Sequence, residues 1–195
     1  FVPLQYGGTV ETETPPAATE PYIFATGTGY RDYETFFAAV EKLGYRTLVL
    51  ASDRALAGLR IPANVEILDQ ISRPEIRRLV RHATVNVVPL NDQGSTAGLV
   101  TIVETYRHGR SLVITRRPGL EDYCHEHENV LCAGLGDAAE MAEAIDAMWS
   151  DEVLRQRLDQ AADAFGQANC TDAAAADHLT RILDSFADRT ASTVR

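Results

Sequence analysis

The chain is 195 residues long with 45% hydrophobic and 24% charged residues, enough for one well-buried α/β domain and no demand for two. A net charge of -10 argues against a general nucleic-acid or anionic-membrane surface, since both start from clustered Lys and Arg, so any bound anion must be held locally. Cys124, Cys132 and Cys170 are odd in number and widely spaced, which is no disulfide framework and fits a reducing cytoplasm; a run of about 18 apolar residues and a secretory leader are both missing, so neither a membrane span nor a signal peptide is expected.

Residues 1–20 begin with Phe1-Val2-Pro3-Leu4, which looks like a strand end, and continue as an aperiodic Gly, Pro, Thr and Glu stretch expected to be an interdomain linker. The domain proper is expected over residues 21–187, with a flexible tail over 188–195. Tyr22 to Thr26 is predicted as the first strand, and Phe36, Phe37, Val40 and Leu43 give the next helix an apolar stripe that Gly44 stops. Thr47–Leu50 and Val65–Leu68 read as the second and third strands, with a short segment ending near Pro62 between them. Pro74 opens a helix with Ile76, Leu79 and Val80 facing inward, and Val85–Val88 is the fourth strand.

The loop Asn91 to Thr96 then leads into a helix whose Leu99, Ile102, Val103 and Tyr106 repeat at core-facing spacing. Leu112–Ile114 and Val130–Cys132 are two more strands, Cys132 pointing inward, with a turn at Arg117-Pro118-Gly119 between them. Helices follow near Asp137 to Trp149, Asp151 to Phe165 and Thr171 to Phe186, the last expected to bury Leu179, Ile182, Leu183 and Phe186. The acidic residues between Asp137 and Asp163 read as solvated faces. Such alternation implies a Rossmann-like, doubly wound parallel sheet of about six strands with helices on both faces.

In that architecture ligands gather outside the carboxyl ends of the strands, where a helix N-terminus offers free N–H groups and about half a positive charge. The loop after the fourth strand suits a phosphate. Glu104 breaks the pattern of its helix. Seven residues beyond Ala97, it lies roughly 10 Å down the axis, about the reach from a diphosphate to its ribose, and a carboxylate accepts two hydroxyl hydrogens. A solvated helix glutamate is the plain alternative.

Gly27-Thr28-Gly29 lacks the third glycine of a dinucleotide fingerprint, Asp32 standing in its place, which weakens a nicotinamide or flavin oxidoreductase. Arg31 follows that bend, where a guanidinium clamps phosphate oxygens bidentately; a surface pair with Asp32 or Glu34 is the alternative. Cys124-His125-Glu126-His127-Glu128 has no recognised zinc spacing and is read as a loop, with no metal expected. No GxSxG nucleophile motif occurs.

Taken together, Gly27 with Arg31-Asp32, AGLVTIVET with Gly109 and LVIT, and Pro118 to Tyr123 resemble the carboxyl-terminal, nucleotide-sugar-binding half of retaining GT-B glycosyltransferases. Val2-Pro3-Leu4 with Gly7-Gly8 is similar to that family's crossing from its first domain, so the likeness runs over nearly the whole chain. The resemblance implies transfer of a sugar, of the hexosyl type, from a nucleoside diphosphate sugar to an acceptor held by an amino-terminal domain that is not in this chain. It implies no metal or other cofactor, no activity for this domain alone, and a cytoplasmic place, with any attachment to the inner membrane face left to the missing domain.

By the same resemblance Arg31 and Glu104 take the catalytic roles, the first on the diphosphate and the second on the ribose. Gly27, Thr28, Gly29, Ser95, Thr96, Ala97, Gly98 and Leu99 complete the donor-binding set, and Gly119 and Leu120 face the donor sugar. The chain departs from the family at three places. Thr96 stands where the first of two glutamates belongs, Thr28 replaces a common basic residue, and Gly98 is one residue out of register. A catalytically silent nucleotide-binding or regulatory module is therefore the alternative reading.

Overall fold

The computed structural model describes residues 20–91 and 97–193, the side chains of 185–193 excepted, so the expected linker up to residue 19 and two of the expected site residues, Ser95 and Thr96, lie outside the described residues. Six strands, β1 (Ile23–Thr26), β2 (Thr47–Leu50), β3 (Val65–Leu68), β4 (Val85–Val88), β5 (Leu112–Thr115) and β6 (Val130–Ala133), form one sheet in the order β3-β2-β1-β4-β5-β6. Every neighbouring pair is parallel. Each strand therefore needs a crossover, and seven helices are found among the described residues: α1 (Tyr33–Leu43), α2 (Asp53–Leu56), α3 (Arg73–His82), α4 (Leu99–Arg107), α5 (Ala138–Ser150), α6 (Glu152–Asn169) and α7 (Asp172–Thr193). The chain has the doubly wound, Rossmann-like fold expected of it.

Alternation along the strands explains why helices cover both faces. Ile23, Ala25, Val87, Val113 and Leu131 point to one side, where they pack with Phe36, Phe37 and Val40 of α1 and Met141, Ile145 and Met148 of α5. Leu112, Ile114 and Val130 point to the other, against Ile102, Val103 and Tyr106 of α4 and Ala162 of α6. Phe24 and Leu48 continue that second face beneath Val80 of α3. With Ile23, Val49, Val85, Val88, Leu112 and Val113 almost wholly buried, the central strands read as uninterrupted apolar runs.

The helix ends follow local chemistry. Asp32 caps α1 by accepting from the N–H of Thr35, and Gly44 closes it in the left-handed region at φ 71°. Ser72 and Glu75 form a reciprocal capping box at α3, ahead of Pro74. Asp137 and Asp151 cap α5 and α6.

Two expectations are corrected. Asp159 is not solvated: its carboxylate accepts from the Ser111 N–H at 2.7 Å and hydroxyl at 2.6 Å and pairs with Arg110 at 2.9 Å. Arg110 in turn donates to the Ala83 carbonyl at 2.6 Å, so one carboxylate on α6 locks the amino end of β5 to the end of α3. Helix α7 reaches Thr193, past both its expected end and the start of the expected tail, and Leu179 and Leu183 on it are exposed where burial was expected. No helix among the described residues is long and apolar enough to cross a membrane.

Candidate nucleotide-sugar site

Strand order reverses between β1 and β4, and the loops that leave their carboxyl ends diverge to opposite faces. Backbone bonds stitch the two loops together: the Asp32 N–H donates to Pro89 O at 3.0 Å and the Asn91 N–H to Tyr30 O at 3.1 Å. Gly27 turns the chain at φ 128°, its carbonyl accepting from the buried Tyr33 hydroxyl at 2.6 Å. Burial pushes that phenol up to about 12, which keeps it a donor. Tyr30, at the exposed tip of the loop, is held at φ 57°, an uncommon conformation for an aromatic residue.

Arg31 folds back over this turn. Its Nε donates to Thr26 O at 3.2 Å, Nη1 to Gly29 O at 2.9 Å and Nη2 to the Thr101 hydroxyl of α4 at 3.0 Å. Gly27 must be glycine for this pose, because a Cβ there would lie 2.5 Å from the guanidinium. Asp32 is occupied as a helix cap, and no carboxylate among the described residues pairs with Arg31. Burial lowers the guanidinium's pKa, yet an arginine stays charged in proteins, so an anion beside it would relieve that cost. A guanidinium has five N–H donors; among the described residues three are engaged, and each terminal nitrogen retains one in the forked arrangement that matches phosphate.

Across the crevice, Gly98 at φ 91° starts α4 with no side-chain cap. A Cβ on it would come within 3.2 Å of Val88 and 3.3 Å of Leu90, so the glycine lets the helix begin hard against the end of β4. The first-turn N–H groups of a helix have no partner within it, and at Leu99, Val100 and Thr101 they face the crevice end of the sheet. Thr101 is the residue that sequence reasoning missed. It stands on the same helix face as Glu104, three positions on and about 4.5 Å lower, so the guanidinium and the carboxylate meet one side of α4 at successive turns.

Glu104 is half-buried. Its Oε1 lies 3.3 Å from Arg77 Nε of α3 and 3.3 Å from His108 Nε2. The His108 hydrogen bond, followed by the positive charges of His108, Arg77 and Arg107 acting against burial, holds its carboxyl below the usual range. The structure thus brings Gly27 and Arg31 to the first turn of α4, where Gly98 and Leu99 lie, with Glu104 one turn beyond Thr101 on the same helix; Thr28 and Gly29 are exposed, and Ala97 is half-buried.

Gly119 and Leu120 lie further along, beyond β5. A cleft of about 440 Å³ opens there between Thr115, Arg116, Pro118, Leu120, Glu121 and Cys132. Gly119 takes φ 90°, and its N–H donates to the Glu121 carboxylate at 2.6 Å, while the Leu120 side chain is buried in the core below. Cys132 is half-buried on the cleft wall rather than directed wholly inward, and burial pushes its thiol up to about 11. Glu126 of the neighbouring loop pairs with Arg116 at 2.7 Å, and among the described residues no cluster of three His, Cys, Asp or Glu is disposed to hold a metal.

Solved structures share this fold. The chain superposes on sucrose-phosphate synthase from Thermosynechococcus elongatus with a TM-score of 0.71 at 21% identity, covering 87% of this chain and 46% of that one. It superposes on the Anabaena protein HepE in complex with UDP-glucose with a TM-score of 0.70 at 12% identity, covering 86% and 49%. The C-terminal domain of a group 1 family glycosyl transferase from Francisella tularensis gives 0.63 at 16% identity, covering 77% and 87%. The chain thus spans about half the length of the first solved structures it matches, 46% and 47%. No curated protein matches it in sequence. The family model described as glycosyl transferases group 1 matches residues 21–151, which run from just before β1 to the start of α6 and take in the whole sheet, so the chain belongs to that glycosyltransferase family.

Proposed function

We propose that this domain binds the donor of a retaining, hexosyl-type glycosyltransferase, a nucleoside diphosphate sugar, and that transfer takes place to an acceptor held by a separate amino-terminal domain. The observation that carries the reading is the line Arg31, Thr101, Glu104 along one side of α4 at the point where strand order reverses. The diphosphate lies between the two remaining N–H groups of Arg31 and the start of α4, with the ribose a turn lower at Glu104 and the sugar toward Gly119. As the bond between the anomeric carbon and the diphosphate breaks, negative charge grows on the leaving group, and fixed donors aimed at it lower the barrier without a metal. The HepE complex with UDP-glucose supports a donor of this class. The domain alone binds without transferring, and its place is the cytoplasm.

A second reading, a nucleotide-binding module without transfer, is favoured by Thr28 and Thr96, which stand where the family has basic and acidic residues. Uridine, guanosine or adenosine diphosphate raises the melting temperature of the chain by mass action, and Arg31→Ala and Glu104→Ala each diminish that rise. Equal rises in all three proteins remove both residues from the site. Turnover of the donor sugar once an acceptor domain is present separates the transferase from the silent module.

A further inference from the structure

The carboxylate assigned to the ribose is not alone on its helix. Oε1 of Glu104 has two partners from two directions, Arg77 Nε on α3 as an ion pair and His108 Nε2 one turn further along α4 as a hydrogen bond, each at 3.3 Å. His108 is the more enclosed, with 13% of its side chain exposed against 33% for Arg77 and 35% for Glu104. A glutamate on a helix surface ordinarily samples several rotamers, and fixing it costs conformational entropy each time a ligand arrives. A hydrogen bond from His108 and an ion pair with Arg77 on one oxygen restrict that freedom beforehand. A carboxylate offers about four lone-pair positions, so these contacts leave room for the two hydroxyls of a ribose.

We propose that Arg77 and His108 are positioning residues for nucleotide recognition: by holding one oxygen of Glu104 they preset its carboxylate to accept the ribose hydroxyls. This rests on the reading of Glu104 as the ribose ligand. Neither residue follows from the spacing that singled out Glu104. Arg77 comes from a different crossover, 27 positions earlier, and His108 is a neighbour only through the helical repeat of four.

The test compares ribonucleoside diphosphates with their 2′,3′-dideoxy counterparts, using titration calorimetry on the whole chain with whichever of uridine, adenosine or guanosine diphosphate binds. Wild type is expected to prefer the ribose form about tenfold, as two hydrogen bonds to a charged group imply, and Glu104→Gln to lose most of that preference. Arg77→Met, which keeps an unbranched side chain, and His108→Ala are each expected to reduce the ratio at least about threefold, with His108→Gln restoring it through an amide donor. A loss of packing alone lowers both affinities together and leaves the ratio unchanged, so the ratio separates positioning from structural support. If Glu104→Gln removes the preference while Arg77→Met and His108→Ala keep the wild-type ratio or increase it, the proposal is overturned and Glu104 retains its role. If wild type binds none of the three, or binds ribose and dideoxyribose forms equally, or if Glu104→Gln keeps the preference, the reading of Glu104 falls and this inference with it.

Discussion

The two ends of the sheet are built on opposite plans. At the amino end, polar groups are used up mostly on one another: Asp159 holds Ser111 and Arg110, Arg110 holds Ala83, and the Tyr22 hydroxyl holds Leu79, though Arg110 Nε and His82 Nε2 are buried without a partner among the described residues. At the carboxyl end, glycines at 27, 98 and 119 take positive φ, α4 starts with no side-chain cap, and among the described residues Arg31 keeps two donors unengaged. Buried polar groups stabilise only when paired, so the closed end contributes to stability. Under the proposed function, the end with donors to offer contributes recognition.

Substitutions at the two ends are therefore expected to separate stability from binding. Asp159→Ala leaves Arg110 and the Ser111 N–H without their acceptor, and a loss of about 3 kcal/mol is expected, or roughly 6–12 °C in melting temperature, with the nucleotide-induced rise preserved. Arg31→Ala inverts that pattern: nucleotide affinity falls at least about tenfold while stability falls by about 1 kcal/mol, which denaturation with and without ligand measures. A result in which both substitutions reduce stability and binding in parallel would show that the ends are one cooperative unit. Gly98→Ala combines both effects, about 1–2 kcal/mol from the left-handed conformation and a displaced start of α4 that weakens nucleotide binding as well.

The smallest effect concerns acid. The Glu104 carboxyl titrates below its ordinary value of 4.5, so the stability it contributes is present above that value and disappears as pH falls through the lower folded value. Glu104→Gln should flatten this part of the pH–stability curve by lowering stability above about 4.5, neutral pH included, while the acid end stays little changed. An unaltered acid limb in Glu104→Gln would mean that the pairs with Arg77 and His108 form in the unfolded chain too, or contribute nothing.

Strand positions were readable because a parallel strand buried on both faces needs four or more consecutive apolar or β-branched residues, as Thr47–Leu50 and Leu112–Thr115 show. Glu104 stands out as a candidate because a charge interrupts an otherwise apolar helix, and Arg31 because it follows a glycine bend after the first strand. Their partners were not. Thr101 is an ordinary helix threonine until the fold carries Arg31 across 70 positions to it, and Arg77 lies within a basic run that looks solvated throughout. Asp159 was misread for the same reason: in sequence it is indistinguishable from Asp163 one turn later, and only the approach of α6 to β5 gives it partners. The end of α7 was misjudged because Ala, Asp, Arg and Thr permit a helix without a strong apolar stripe to announce it.

The single tryptophan carries a practical consequence. Trp149 of α5 lies flat against Tyr45, with ring centres 4.3 Å apart and planes 10° apart, and the Tyr45 hydroxyl donates to Asp146 at 2.6 Å. Tyr45 lies two residues before β2, so the indole sits at the joint between the earlier and later halves of the chain, at the sheet end remote from the proposed nucleotide site. Its emission should follow the parting of those halves during denaturation and stay silent when ligand enters, a built-in optical gauge of folding alone.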